Sequence, residues 1–182
     1  MRGIGGSTDG TQRPRRDTAR MSEPIHPAVR VGHVHLRVAD LDRAIAFYRD
    51  GLGFRVSADA RGIGLDMAFL AAGDYHHHIG LNALDSADGG PPDPRRAGLY
   101  HVAFLYPDRR ELARAVKRLL DHGYPVAHGT DHHGTVSVYL DDPDGNGVEL
   151  YYDRPRADWF DADGRPVLKA DRFDHRDLLA DA

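Results

Sequence analysis

Histidine is the residue type that stands out in this chain, since twelve of its 182 residues are histidines. Imidazole titrates near neutral pH and is the commonest metal-binding side chain, so this excess favours acid–base or metal chemistry. Two histidines occupy corresponding places: His33 in VGHVHLRV and His101 in LYHVAFLY, 68 residues later, and Asp40 and Asp108 are separated by the same interval. The chemistry is therefore expected within a repeated framework.

Composition excludes several classes of protein. The 24 Lys and Arg residues against 28 Asp and Glu residues give a net charge of -4, which disfavours a phosphate-binding surface, so we expect no nucleic acid partner. No segment approaches the roughly 18 apolar residues of a membrane-spanning helix, so we expect no membrane partner either. The lack of cysteine excludes disulfides and thiolate metal sites and favours a cytoplasmic location.

The repeat predicts the order of the structural elements. Alternating apolar and polar residues in VGHVHLRV predict a strand, after which Asp40 caps a helix and the segments FRVSA, LDMAFLA and YHHHIGLN follow as strands. The same order returns with LYHVAFLY, a capping box at Asp108 and Glu111, and the strands YPVAH, TVSVYL and GVELYY. The sequence predicts an α+β fold built from two β-α-β-β-β modules.

The expected domain organisation follows from these elements and from the Gly- and Pro-rich segments between them. It comprises a disordered leader over residues 1–28, a first module over 29–88, a linker over 89–97, a second module over 98–153 and a C-terminal covering tail over 154–182. Met21, shortly before the first strand, is a candidate translation start.

Three segments carry a resemblance to a known family: HVHLRVADLDRAIAFYRDGLGF, YHVAF and DPDGNGVELYYDRP. They resemble the vicinal oxygen chelate superfamily, which includes glyoxalase I, extradiol dioxygenases, and fosfomycin- and bleomycin-resistance proteins. The segments DYHHHIGLN and DHHGTVSVYL, together with the tail, most resemble small catechol 2,3-dioxygenase-like members. The resemblance implies an incomplete barrel around a metal-binding cleft.

The resemblance also implies a set of metal ligands. The matching positions are His33, His101 and Glu149. A set of two histidines and one carboxylate suits Fe(II) with open coordination positions, and Mn(II), Ni(II) or Zn(II) are the alternatives. Gly80 matches the position where glyoxalase I carries a fourth, carboxylate ligand. Its missing side chain either leaves the metal more open or only relieves crowding in a strand.

Three catalytic residues are expected from the same resemblance, and a fourth, His78, from strand alternation. His77 matches an acid–base histidine, whereas strict strand alternation favours His76 and His78, so we retain His77 and His78. Tyr139 matches a tyrosine that donates a hydrogen bond beside the metal. Of the two histidines before that strand, His132 and His133, the second is preferred.

These residues lead to one expected function and two alternatives. The first is an Fe(II)-dependent extradiol dioxygenase that cleaves a small catechol-like substrate with O2. The second is a glyoxalase I-like lyase or isomerase, or a resistance-type transferase, with a divalent metal. The third is a non-catalytic drug-binding protein of the bleomycin-resistance kind. By analogy with the family we expect a homodimer.

Overall fold

The computed structural model describes residues 23–182. Residues 23–31 belong to a unit separate from residues 32–182 and contain a single turn at residues 27–28. Most of the expected leader therefore lies outside the described residues. Within the described part, no helix has the length and apolar character needed to cross a membrane.

The first module forms a four-stranded sheet with one helix. Its elements are β1 (Val34–Arg37), α1 (Leu41–Ala46), a π-helical turn (Phe47–Gly51), β2 (Arg55–Asp59), a 3-10 turn (Ala60–Ile63), β3 (Met67–Ala71) and β4 (Ile79–Asn82). The strand order is β1-β4-β3-β2, with β1 parallel to β4. As predicted, Asp40 caps α1, because its carboxylate accepts a 2.9 Å hydrogen bond from the backbone N–H of Arg43.

The second module repeats this plan. Its elements are β5 (Val102–Tyr106), α2 (Arg109–Asp121), β6 (His128–Asp131), β7 (Thr135–Asp141) and β8 (Gly147–Asp153). The strand order is β5-β8-β7-β6-β9, in which β9 (Asp171–Phe173) comes from the tail. The predicted α+β architecture of two β-α-β-β-β modules is confirmed. The strand expected at YPVAH was misplaced, because β6 begins only at its last residue, His128.

The core lies on the helix side of both sheets. Leu36, Ile79 and Leu81 of the first sheet and Val138 and Leu150 of the second are buried in the same cluster, which also includes residues of α1 and α2. Because side chains alternate along a strand, His35 of β1, Tyr139 of β7 and Glu149 of β8 lie on the opposite sheet faces. Within residues 32–182 the two sheets do not close into a barrel.

Hydrogen bonds connect the first module to the turn before β8. The Tyr48 hydroxyl donates a 2.9 Å bond to Asp142 Oδ2, and the backbone N–H of Ala39 donates a 2.9 Å bond to Asp144 Oδ1. Asp142 is 4% exposed and also accepts bonds from the backbone N–H groups of Asp144 and Asn146. These bonds fix the turn that leads into the strand carrying Glu149.

The tail packs on the second module. After a 3-10 turn (Arg156–Asp158), β9 pairs with β6, and a final 3-10 helix (His175–Asp181) packs on α2. Leu178 of this helix is fully buried. Gly129 in β6 leaves room for the ring of Phe173, which would lie 2.7 Å from a Cβ at that position.

Candidate functional site

The polar face of the first sheet carries a group of rings, here called the first-sheet cluster. Its members are His33, His35, Phe69, His76 and His77. The His77 ring lies 4.5 Å from that of His33 and 5.0 Å from that of Phe69, measured between centroids. Burial, followed by the charges of His33 and other neighbouring histidines, lowers the pKa of His77 and so favours the neutral ring. The structure thus brings two of the predicted site residues, His33 and His77, into contact.

The neighbours of His77 have different surroundings. His76 is exposed, and its Nδ1 lies 2.7 Å from Nδ1 of His77. The His78 ring lies 4.7 Å from the Tyr75 ring at an angle of 40°, and its Nδ1 accepts a 3.2 Å hydrogen bond from the backbone N–H of Ala72. Strand alternation does not govern these residues, because β4 begins only at Ile79.

Gly80 lies beside His35 in the paired strands β4 and β1. A Cβ at position 80 would come within 2.9 Å of the His35 ring, a distance that real Cβ atoms essentially never show. The imidazole of His35 therefore occupies the space that a side chain on residue 80 would need. A larger residue at this position requires His35 to move.

The polar face of the second sheet carries a hydrogen-bonded series, here called the second-sheet chain: His101, Glu149, Tyr139 and His132. Nε2 of His101 lies 2.9 Å from Oε2 of Glu149, on the neighbouring parallel strand. The Tyr139 hydroxyl donates a 2.9 Å bond to Oε1 of Glu149, and it lies 2.9 Å from Nε2 of His132. Glu149 is only 13% exposed and His101 30%, so the pair is partly shielded from water.

His132 lies between Tyr139 and the tail. Its Nε2 lies 2.9 Å from the Tyr139 hydroxyl, which donates its own proton to Glu149. Its Nδ1 lies 3.0 Å from the carbonyl oxygen of Lys169, which can only accept. The His132 ring therefore connects Tyr139 to the tail through both of its nitrogens.

Tyr139 lies at the centre of this arrangement. Burial and, second, the hydrogen bond to Glu149 raise the pKa of its hydroxyl to about 12, so the neutral phenol is the stable form at neutral pH. The ring of His128 stacks on it at 4.9 Å. His128 was not among the predicted site residues. The pairing of β6 with β7, which places His128 opposite Tyr139, could have indicated it.

His133, the histidine preferred from the sequence, has another environment. Its φ of 67° is in the left-handed region, and its Nε2 forms a 2.6 Å contact with Oδ2 of Asp171 in β9. Its neighbour His132 is the residue that contacts Tyr139. Each of the two rings is held by a residue of the tail.

The expected metal ligands are divided between the two faces. His101 and Glu149 lie together, whereas His33 lies in the first-sheet cluster. Within residues 23–182 no three His, Asp or Glu side chains are placed to hold one metal ion. One chain thus offers an imidazole and a carboxylate, a donor pair with the right chemistry for a divalent metal, without the third ligand.

Comparison with known proteins gives a consistent family. Residues 30–150 match the model of the glyoxalase/bleomycin resistance protein/dioxygenase superfamily. The chain is 38% identical over 159 residues to a catechol-2,3-dioxygenase of Bacillus subtilis, a match that covers 87% of this chain and 54% of that protein. It is 35% identical over 130 residues to biphenyl-2,3-diol 1,2-dioxygenase 3 of Rhodococcus globerulus, covering 68% of this chain and 63% of the relative.

A solved structure extends the comparison. The crystal structure of lactoylglutathione lyase from Agrobacterium tumefaciens superposes with a TM-score of 0.53 and 26% identity, covering 70% of this chain and 96% of that one. The chain therefore spans 54% and 63% of the lengths of the two dioxygenases but 96% of the length of this lyase. On the match to the family model and the identity to these relatives, the chain belongs to the glyoxalase/bleomycin resistance protein/dioxygenase superfamily.

Proposed function

We propose that this protein is a metal-dependent extradiol-type dioxygenase that cleaves a small catechol-like substrate with O2. The observation that carries the proposal is the second-sheet chain, in which a histidine and a carboxylate 2.9 Å apart adjoin a neutral phenol backed by an imidazole. The identity of 38% to a catechol-2,3-dioxygenase supports the same reaction class. Fe(II) is the proposed metal, because two histidines and one carboxylate are typical of oxygen-activating iron sites.

The third ligand is proposed to come from a second copy of the chain. In the described part of one chain the two sheets remain separate, and His33 and His101 lie on the polar faces of different sheets. In a two-fold dimer, the first sheet of each copy can face the second sheet of the other copy. His33 of one copy then lies beside His101 and Glu149 of the other, so the dimer contains two identical sites. The expected homodimer is thus part of the proposed active site.

The side chains around this site have distinct proposed roles. When bound, an Fe(II) ion would supply positive charge and open coordination positions for the two reactants. Tyr139 donates a hydrogen bond to a substrate oxygen on which negative charge develops. His77, whose lowered pKa favours the neutral ring, accepts a proton from a substrate hydroxyl. His132 positions the Tyr139 hydroxyl through the 2.9 Å contact of its Nε2, while His133 and His78 flank the site.

A lyase of the glyoxalase I kind is the second candidate. It is favoured by length, because the chain covers 96% of the lyase from Agrobacterium tumefaciens. It is disfavoured by Gly80, since that position offers no carboxylate and the His35 ring fills the adjoining space. The dioxygenase therefore remains the better supported function.

Anaerobic loading with Fe(II) tests the proposal. The loaded protein is mixed with catechol and methylcatechol in an oxygen electrode, with Mn(II)- and Ni(II)-loaded protein for comparison. We expect oxygen uptake with a yellow ring-opened product, and we expect Glu149→Gln to lose both bound iron and oxygen uptake. Turnover of a glutathione hemithioacetal without oxygen, with Ni(II) preferred, would favour the lyase. Full iron content and activity in Glu149→Gln would contradict the ligand assignment.

A further inference from the structure

The ring of His128 covers one side of Tyr139, the central residue of the second-sheet chain. The two ring centroids are 4.9 Å apart and the rings are 21° from parallel, so the contact is made by their flat faces. The pairing of β6 with β7 places the two residues directly opposite each other. The backbone N–H of Ala127 donates a 2.8 Å bond to the carbonyl oxygen of Tyr139, which fixes this alignment. The stack is therefore a consequence of the strand register.

Two other histidine rings lie near Tyr139, but in different orientations. The His101 ring, on the β5 side of β7, has its centroid 5.9 Å away at an angle of 52°. The His132 ring is 6.3 Å away and nearly perpendicular, at 87°. Of these three rings, His128 alone is close to parallel with the phenol. His128 is therefore the one that can fix the plane of the Tyr139 ring.

The plane of the Tyr139 ring determines where its hydroxyl can donate. The torsion that sets this plane is intrinsically broad, so the surroundings must fix it. A phenolic hydrogen lies close to the ring plane, because the oxygen is conjugated with the ring. The hydroxyl of Tyr139 lies 2.9 Å from Oε1 of Glu149 and 2.9 Å from Nε2 of His132. The ring plane that makes these two contacts is the one that is stacked on His128.

We propose that His128 is a positioning residue, which holds the phenol of Tyr139 in the plane where its hydroxyl can serve the reaction. His128 acts through Tyr139 and not on the substrate, because the strand carrying Tyr139 lies between His128 and Glu149. The effect on turnover rests on the proposed function, in which Tyr139 donates a hydrogen bond to a substrate oxygen. The stack itself is independent of the reaction.

Two substitutions of His128 separate the flat ring from the ring nitrogens. His128→Leu removes the flat ring and keeps an apolar side chain, whereas His128→Phe keeps a flat ring without nitrogens. Because a stacked aromatic pair changes an equilibrium by about two- to tenfold, we expect His128→Leu to lower kcat for catechol by that factor in the Fe(II)-loaded protein. KM should stay nearly the same, and His128→Phe should retain the wild-type kcat.

The matched control is His122→Leu, which changes an exposed histidine at the end of α2. Nδ1 of His122 lies 2.9 Å from the carbonyl oxygen of Arg118, within the same helix end. We expect this variant to have the kcat and KM of the wild type.

A double-mutant cycle with Tyr139→Phe tests whether His128 acts through the hydroxyl. If it does, His128→Leu lowers kcat in the wild type but causes no further loss in Tyr139→Phe, because the group that it positions is already missing. A purely structural effect of His128 would lower kcat by the same factor in both backgrounds, and that result would overturn the proposal.

Nuclear magnetic resonance of the metal-free protein gives a readout that needs no turnover. With carbon-13-labelled tyrosine, the Tyr139 signals are identified by their absence from Tyr139→Phe. We expect them to be shifted by the neighbouring ring in the wild type and in His128→Phe. In His128→Leu they should move towards the values of a freely rotating tyrosine.

The outcomes separate this inference from the proposed function. Unchanged kcat and unchanged Tyr139 signals in His128→Leu would overturn the positioning role while leaving the dioxygenase intact. A raised KM with unchanged kcat would make His128 a substrate contact and would also overturn it. If the wild type cleaves no catechol but the Tyr139 signals still depend on a flat ring at position 128, the dioxygenase is rejected and the positioning of Tyr139 by His128 is retained.

Discussion

At the scale of single residues, the close approach of the His35 ring to Gly80 leads to a prediction about stability. Gly80→Ala places a Cβ 2.9 Å from the His35 ring, so we expect the free energy of unfolding to fall by about 1–3 kcal/mol. In a His35→Ala background the same change meets no ring and is expected to be neutral or slightly stabilising. Chemical denaturation of the four proteins measures this.

The matched control for this cycle is Gly62→Ala, because a Cβ at position 62 meets no atom within 4 Å. Its effect is expected to be the same in both backgrounds. If Gly80→Ala also changed the free energy of unfolding equally with and without the His35 ring, the conclusion that this ring fills the space beside residue 80 would be wrong.

The position of the Tyr139 hydroxyl leads to a prediction about activity. Tyr139→Phe removes the hydroxyl that bridges Glu149 and His132, so we expect kcat/KM for catechol to fall by about 100-fold. Stability should change little, by about 1 kcal/mol or less, because the neighbouring polar groups are only partly buried. Tyr106→Phe, on the core side of β5, is the control in steady-state assays. An unchanged kcat/KM in Tyr139→Phe would remove the phenol from the mechanism.

At the scale of elements, the final 3-10 helix is expected to hold the tail in place. Leu178 has no exposed surface, so Leu178→Ala should cost about 2–5 kcal/mol of the free energy of unfolding. Leu168 lies in the same tail but is 92% exposed, and Leu168→Ala should change the stability by less than about 0.5 kcal/mol. Urea denaturation measures the free energy of unfolding of both variants. If the tail is docked, Leu178→Ala lowers it much more than Leu168→Ala does; if the tail is loose, the two variants change it equally.

The attachment of the tail to β6 should depend on pH. Burial tends to raise the pKa of Asp131, but hydrogen bonds from the His133 backbone and from Arg154 outweigh it and lower the pKa. A lowered pKa in the folded state contributes stability above the unfolded value of about 3.9, and that contribution is lost as the pH falls through the folded value. The stability difference between wild type and Asp131→Asn should therefore be present at pH 7 and shrink below about pH 4.

The control for this titration is Asp163→Asn, which neutralises an exposed carboxylate of the tail. Its effect on the free energy of unfolding is expected to be small at every pH. A difference between wild type and Asp131→Asn that stayed constant from pH 7 to pH 2 would contradict the linkage.

At the scale of the whole molecule, the sequence predicts the modules better than their association. Local signals suffice for the Asp40 and Asp108 caps, the alternating strands and the repeat, because each depends on neighbours in sequence. The pairing of β9 with β6 could not be predicted, since a three-residue strand has no distinctive pattern. The separation of His33 from His101 and Glu149 was also beyond the sequence, because the repeat specifies each sheet but not which sheet faces which.

The central claim, a metal site completed between two copies, is tested most directly by complementation. His33→Ala and Glu149→Gln are each expected to be inactive alone. When the two variants are refolded together in equal amounts, half of the dimers are hybrids, and each hybrid has one intact site, so about a quarter of wild-type oxygen uptake should return. Activity no higher than that of the separate variants would contradict a site shared between chains.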